Sequence, residues 1–434
     1  MKPVLLMNVS RLMRPGEPGA TGIDRFEAAY ARLALDSSAF DTRFVIGGSG
    51  GSWREIRATR VSAVLSDDGA EREGDAAPHA EIRAFLLAEP AFGHHRSTVQ
   101  RIRFIERGGP SPAWLRMMES FGAMAPWRLS LDSLKNAIHL QASHTLLAAP
   151  SALEALSRRG IASVHYFHDT IPLDFPEYCR PGEHEAHFTR AATLKRLAAR
   201  ILVSSGAVAA RVGHLFAGMP GPSPPVEIVP PGLAAAFSEQ RTPERAMRPY
   251  FVVVGTIEPR KNHLLLLNIW RRMARSMPPA AVPKLVIVGR RGWENEAMVD
   301  YLNRCEALFG HVLEVEGLPD DALADLIAGS AGLLAPSFAE GYGLSLAEAA
   351  ALGIPVIASD IASHREVWAA RGKGAARWLD PVDGPGWLSA IVELARDYAG
   401  PRSAETARNI SGLGWESHWA AVENILRQTL ASRA

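Results

Sequence analysis

Two doubly wound α/β domains in tandem, facing each other across a cleft, are predicted by three features of the 434-residue chain. From Tyr250 onward, short β-branched runs alternate with apolar segments of helical spacing. The amino end begins the same way, and a Pro-rich, small-residue stretch separates the halves. With 47% hydrophobic residues and a mean hydropathy near zero, the chain can bury two cores.

The first domain is read over 1–235. PVLLMNVS (3–10) is its first strand, followed by a Gly-rich loop and the helix TGIDRFEAAYARLAL. TRFVIGG, HTLLAA, SVHYFHD and RILVSS are further strand candidates, and Ser204 or Ser205 would cap the helix after the last of them. An insert of helical, variable character spans about 65–130. Seven acids against Arg72 and Arg83 fall in 67–89, and six arginines against Glu106 and Glu119 fall in 94–128. With Phe104, Trp114, Phe121 and Trp127 the basic part could lie on an anionic membrane surface; a solvated helical region is the commoner meaning of such blocks.

The linker is placed at 236–249 and the second domain at 250–415. YFVVVG (250–255), KLVIVG (284–289), HVLEVEG (311–317), GLLAPS (332–337) and PVIASD (355–360) are its strands, with helical patterns between them. GLGWESHWAAVENIL starts a closing helix over 416–434. Open α/β sheets bind ligands at the carboxyl ends of their strands, so the loops that matter should face the cleft.

Charge narrows the partners, since 47 Lys and Arg nearly balance 46 Asp and Glu. No global field points to nucleic acid. Cys179 and Cys305 are far apart and lack metal-ligand spacing, which suits a reducing, cytoplasmic compartment. The opening MKPVLLMNVSRLM has too short an apolar run for a signal peptide, and no long charge-free window suggests a membrane span.

The chemistry concentrates in SFAEGYGLSLAE, Ser337 to Glu348. The loop feeds the helix SLAEAAALG, so the amides of Gly343, Leu344 and Ser345 sit at a helix amino terminus, where anions bind. Gly341 and Gly343 around Tyr342 would let a pyrophosphate or sugar approach the chain closely. Glu340 in the loop and Glu348 on the first helical turn then suit sugar or ribose hydroxyls. A capping box, Ser345 to Glu348, is the competing explanation for the second glutamate; it accounts for neither Glu340 nor the Gly-Tyr-Gly turn. In the other strand-end loop, Arg260 and Lys261 precede an apolar helix with Asn262 as its cap, placed to neutralise a diphosphate. A solvated loop pair is the bland alternative there.

VGTIEPRKN, followed about eighty residues on by PSFAEGYGLSLAEAAALGIPVIASD, closely resembles retaining glycosyltransferases of the GT-B fold, specifically glycosyltransferase family 4, over roughly 250–381. The resemblance implies a GT-B pair of Rossmann-like domains, with the last helix crossing back to the first domain. It implies that Glu340 contacts the donor sugar, that Glu348 contacts the nucleotide ribose, and that Arg260 and Lys261 clamp the diphosphate. Many members carry arginine after the strand glycine; here Thr256 follows Gly255, and Arg260 is read as the substitute. In the amino half, TGIDRFEAAYARLAL resembles the loop and helix in which Gly19, Thr21 and Gly22 close over donor phosphate or acceptor. VHYFHDTIPLDFPEYCRP resembles the segment that brings a histidine, here His168, to the cleft, with Asp169 orienting the ring or capping the turn.

The family mechanism keeps the transfer on one face of the sugar, with the leaving diphosphate taking the acceptor's proton and no metal required; no Asp-x-Asp triplet occurs. The implied substrates are a nucleotide diphosphate sugar, with GDP-mannose favoured over a UDP-sugar, and a saccharide or lipid-linked saccharide of a cell-surface polysaccharide. A lipid-linked acceptor would bring the chain to the inner membrane face. An inactive relative serving as a sugar-binding assembly subunit, and a GT-B nucleotide-sugar epimerase or phosphorylase, are the alternatives. A dinucleotide oxidoreductase is disfavoured because no Gly-x-Gly-x-x-Gly follows the first strand of either half.

Overall fold

The computed structural model describes residues 2–14, 22–67, 76–88, 99–103, 127–239, 241, 246, 248–372, 374–398 and 414–433. Gly19, Thr21 and most of the basic 94–128 segment lie outside the described residues.

Strands β1 (Val4–Asn8), β2 (Asp41–Gly47), β3 (Trp53–Ile56), β5 (Trp127–Arg128), β6 (Ala137–Gln141), β7 (Ala162–Tyr166), β8 (Arg200–Val203) and β9 (Val226–Ile228) form one sheet in the order β5-β3-β2-β1-β6-β7-β8-β9. The other runs β15-β14-β13-β10-β11-β12-β4, from β4 (Gln100–Arg103), β10 (Tyr250–Val254), β11 (Lys284–Val288), β12 (Val312–Glu316), β13 (Gly332–Ala335), β14 (Val356–Ser359) and β15 (Ala376–Leu379). All pairs are parallel except β2 with β3 and β3 with β5. Runs such as VLLMN, YFVVV and KLVIV are largely apolar and almost wholly buried because helices cover both faces of a parallel sheet.

In the first lobe the helices are α1 (Gly22–Asp36), α2 (Ala58–Asp67), α4 (Ser151–Ser157), α5 (Ile171–Asp174), α6 (Glu183–Leu197) and α7 (Gly206–Ala217). α3 (Ala76–Leu87) belongs to the second lobe, with α8 (His263–Ser276), α9 (Glu296–Arg304), α10 (Asp320–Ala328), α11 (Leu344–Ala351), α12 (Ala362–Arg371) and α13 (Gly384–Arg396). α14 (Trp415–Ala431) crosses back, burying Trp419, Val422 and Leu426 in the first lobe's core, where His418 Nδ1 donates to the Pro230 carbonyl (2.7 Å) and Nε2 accepts from Tyr30 Oη (2.9 Å).

Two expectations are corrected. HTLLAA is a turn with Leu146 in the left-handed region (φ 67°), and the strand at that place is β6. Its His139 and Gln141 hid it, since polar residues seldom line a core. Here they find internal partners: His139 Nδ1 meets Ser163 Oγ (2.6 Å), which meets His165 Nε2 (2.7 Å), while Asn8 Nδ2 donates to Gln141 Oε1 (3.1 Å); His139 Nε2 stays buried without one. Second, part of the 65–130 insert, expected in the first domain, is built into the second lobe. β4 pairs with β12, Ile82, Phe85 and Ile102 enter the second core, and Lys284 Nζ donates to the carbonyls of Phe85 and Ala88. Charge explains the docking: Arg101 reaches Glu314 (3.2 Å) and Glu316 (2.6 Å), so two acids at the sheet edge select a basic strand. Arg101 is thus paired within the lobe, while Arg103, more than half exposed, meets Glu316 at 3.3 Å. Among the described residues no helix is long and apolar enough to cross a membrane.

Candidate functional site

The loop after β10 and the loop after β13 meet at the carboxyl edge of the second sheet. Arg260 and Lys261 lie in a short turn, Pro259–Lys261. Asn262 follows in the left-handed region (φ 56°); its side chain does not cap α8 but donates to the carbonyls of Pro336 (3.1 Å) and Pro381 (2.8 Å), strapping the loop to its neighbours.

Both cations converge on Glu340. Lys261 Nζ and Ser337 Oγ donate to Oε1 (2.5 and 2.8 Å), and Arg260 Nη1 donates to Oε2 (2.8 Å). Burial alone would raise this carboxyl, but Lys261 and then Arg260 outweigh it and hold the group far below the usual carboxylate range. The Arg260 guanidinium is the more committed partner: Nη1 also donates to the Ala339 carbonyl (2.8 Å) and Nη2 to Glu258 Oε1 (2.6 Å). Burial opposes its charge, but Glu340, Glu258 and Asp169 more than offset that. Glu258 is 1% exposed with no partner for Oε2, and burial pushes its carboxyl up despite Arg260 and Lys261.

This geometry divides the expected clamp. Arg260 holds the two loops together, whereas Lys261 spends one of its three donors on Glu340 and packs its stem within 3.1–3.4 Å of where a Cβ on Gly255 (φ 147°) would lie. Thr256 abuts Gly292, where a Cβ would come 2.5 Å from its methyl, and makes no polar contact among the described residues.

The two glycines of the turn are required for reasons other than ligand approach. A Cβ on Gly341 would stand 2.6 Å from the His168 carbonyl oxygen and 2.9 Å from Asp169 Cβ, so the lobes touch backbone to backbone here. Ser204 and Ser205 both donate to the Gly341 carbonyl (3.1 and 2.9 Å), and Ser205 also accepts from Val208 N as the cap of α7. Gly343, at φ 96°, is the residue before α11, and a Cβ would press on His364 at 3.1 Å. Tyr342 between them lies under the Arg371 guanidinium, 5.4 Å from the ring centre.

α11 begins at Leu344, so Ser345 is inside the helix and caps nothing; the capping-box account of Glu348 fails. The amides of Leu344 and Ser345 are nonetheless at the amino end of a helix, with the dipole favouring an anion. Glu348 falls in the second turn, not the first. It is 7% exposed, its carboxyl makes no hydrogen bond among the described residues, and it has the Arg25–Asp320 pair (3.3 Å) across the seam as its charged neighbours. Burial, with Asp320 adding to it against Arg25, pushes its carboxyl up to about 8.

That position has a testable stability cost. A carboxyl whose value rises from 4.5 to about 8 on folding takes up a proton, so folding is disfavoured progressively as pH climbs through that window. Glu348→Gln should therefore melt higher than the parent at pH 8, by a gain on the order of a few kcal/mol, with the difference vanishing near pH 4.5. Melting curves with the same offset at both pH values would contradict this origin.

On the first lobe, His168 ends β7 and its Nε2 donates to the Ala142 carbonyl (2.7 Å), leaving Nδ1 as the acceptor; burial lowers its basicity and keeps it neutral. Asp169 does not orient that ring; its Oδ1 accepts from Ile171 N (3.0 Å) and shapes the turn. Gly22 opens α1 with nothing within 4 Å of a built Cβ. The seam also contains residues the sequence reading passed over. Glu366 on α12 accepts from the amides of Gly206 (2.6 Å) and Ala207 (3.0 Å), capping α7 from the opposite lobe. Tyr178 stacks on Phe338 at 4.8 Å, and Arg180 lies over Trp293. IASHREV, which carries His364 and Glu366, follows a strand end just as the recognised motifs do, and that placement was the available signal.

Against known proteins, residues 236–380 match the family described as glycosyl transferases group 1. Sucrose-phosphate synthase from Thermosynechococcus elongatus superposes over 100% of both chains with a TM-score of 0.60 at 15% identity. Anabaena HepE in complex with UDP covers 99% of this chain and 100% of its own, with a TM-score of 0.58 at 13% identity. The fold is GT-B. In sequence, the GT-B chain is 28% identical over 315 residues to the serotype-specific mannosyltransferase WbdA of Escherichia coli, a match covering 68% of this chain and 37% of that protein. The O-antigen chain mannosyltransferase B of Escherichia coli is 30% identical over 185 residues, 43% of this chain and 45% of its own. The chain thus spans less than half the length of the curated relatives it matches.

Proposed function

We propose that this GT-B chain is a retaining glycosyltransferase that moves a hexose, mannose by preference, from a nucleotide diphosphate sugar to a saccharide or lipid-linked acceptor in the building of a surface polysaccharide. The observation that carries the reading is the convergence of Lys261, Glu340 and the amino end of α11 on one sheet edge, facing His168 across the seam. Mannosyltransferase relatives and the group 1 match support it.

The site suits a leaving diphosphate. Lys261 offers its remaining donors and the amides of Leu344 and Ser345 point their dipoles at the same charge; one such donor contributes about 3 kcal/mol to a transition state. Glu340 is a poor nucleophile, because both its oxygens are engaged by Lys261, Ser337 and Arg260. Its role is to hold Lys261 and to face the sugar. In the same-face transfer the bond from the anomeric carbon to the phosphate oxygen breaks as the acceptor oxygen bonds to that carbon, and the acceptor's proton passes to the departing diphosphate. Fixed cations supply the charge, so the reading requires no metal. Glu348, neutral near pH 7, can both donate to and accept from a ribose diol. A lipid-linked acceptor would place the chain at the inner membrane face, and salt-sensitive pelleting with anionic vesicles would report it.

A panel of nucleotide sugars, scored by thermal stabilisation and slow hydrolysis, tests the proposal. A matching donor at a hundred times its dissociation constant should stabilise by about 2.7 kcal/mol, with GDP-mannose first. No stabilisation by any donor would overturn the assignment. Stabilisation without hydrolysis or transfer would favour a binding subunit instead.

A further inference from the structure

His364 adds an acceptor at the glutamate-loop edge of this site. It is 1% exposed, on the first turn of α12, and sequence motifs gave it no role. Its Nδ1 lies 3.0 Å from the Ser359 carbonyl, which can only accept, so the proton is on Nδ1 and Nε2 carries the lone pair. That edge of the ring is turned toward the glutamate loop: a Cβ built on Gly343 would stand 3.1 Å from Cδ2 and 3.5 Å from Nε2. Glu340, Lys261 and Arg260 are its charged neighbours, and burial keeps the ring neutral among them. No hydrogen bond reaches Nε2 among the described residues.

A lone pair at the mouth of a site, on a ring held in place by its other nitrogen and given no donor by the described residues, is an acceptor for a group that enters. The nearby groups divide sharply. Three of Glu340's acceptor sites are taken by Lys261, Ser337 and Arg260, and Arg260 is committed to carbonyl and carboxylate partners. A sugar hydroxyl approaching Glu340 would bring further hydroxyls on adjacent carbons within reach of the Gly343 turn. Building on the proposed donor site, we infer that His364 Nε2 accepts a hydrogen bond from one hydroxyl of the donor hexose, making His364 a specificity-determining residue. It sorts sugars by whether a hydroxyl points at that edge of the turn, while Lys261 and α11 hold the nucleotide portion common to all donors.

Two substitutions separate this role from a structural one. Asparagine places its amide nitrogen where Nδ1 is, so His364→Asn keeps the bond to Ser359 and removes the acceptor; His364→Gln places a polar atom near Nε2 and gives up that bond. Calorimetry would compare the donor identified in the screen, its free nucleoside diphosphate, and its single-deoxy analogues. His364→Asn should bind the nucleoside diphosphate as the parent does and the intact donor at least tenfold more weakly, with His364→Gln recovering part of the loss. One deoxy analogue should be tenfold weaker than the donor with the parent protein, yet equal to it with His364→Asn. Equal weakening of nucleoside diphosphate and donor, or every deoxy penalty surviving in His364→Asn, would overturn the inference while leaving the donor site intact. Failure of the parent to bind any nucleotide would instead bring down the site reading and this inference with it.

Discussion

Arg260→Ala should lower stability by about 3–5 kcal/mol, the range seen when one partner of a buried ion pair is removed, and should depress the melting temperature by roughly 3–6 °C. The reason is Glu258, 1% exposed and linked to Arg260 Nη2 at 2.6 Å, whose second oxygen already has no partner. Without the guanidinium that carboxylate is stranded, Glu340 loses its Oε2 partner, and the Ala339 carbonyl loses its donor. The double change Arg260→Met with Glu258→Gln should recover much of the loss, because it removes the stranded charge together with its cation. A melting temperature within a degree or two of the parent for Arg260→Ala would show that the network does not hold the loops together.

Lys261→Met is expected to behave oppositely, lowering kcat/KM by about 10²–10³ through the loss of one charged donor at the leaving group while melting close to the parent. Glu340 keeps Arg260 and Ser337 in this variant, so no buried charge is left alone. Methionine preserves the stem that packs beside Gly255. Affinity for the nucleoside diphosphate should fall in parallel with turnover. Parent-like kinetics would sink the role assigned to Lys261; lost activity with an equally lost melting temperature would make it structural. The pair of variants therefore separates the cation that holds the loops from the one that faces the ligand, a distinction the adjacent letters Arg-Lys do not carry.

β10, β11, β13 and β14 were legible because their runs are almost wholly apolar, whereas β15 and β4, which carry Arg377 and Arg101, were not; the glutamate loop was legible because glycines and acids rarely crowd a strand end without cause. β6 was not, because its histidine and glutamine find partners in Ser163 and Asn8 of other strands and in the carbonyls of the turn that follows, none of which the strand's own pattern displays. Gly341 was read as room for a ligand, yet the atom that needs that room is the His168 carbonyl of the other lobe. Arg260 and Lys261 were read as equals until the position of Glu258 divided them.

By itself the sequence determined what local patterning and spacing can encode: two α/β halves, a basic pair after one strand, and carboxylates around a glycine turn before a helix. Only the tertiary structure decided which cation is committed, that Glu348 is buried and neutral, that β4 belongs to the second sheet, and that His364 faces the turn. The physical reason is that burial and partner identity arise from residues far apart in the chain, and a side chain's charge, tautomer and free lone pairs depend on those partners more than on its neighbours in sequence.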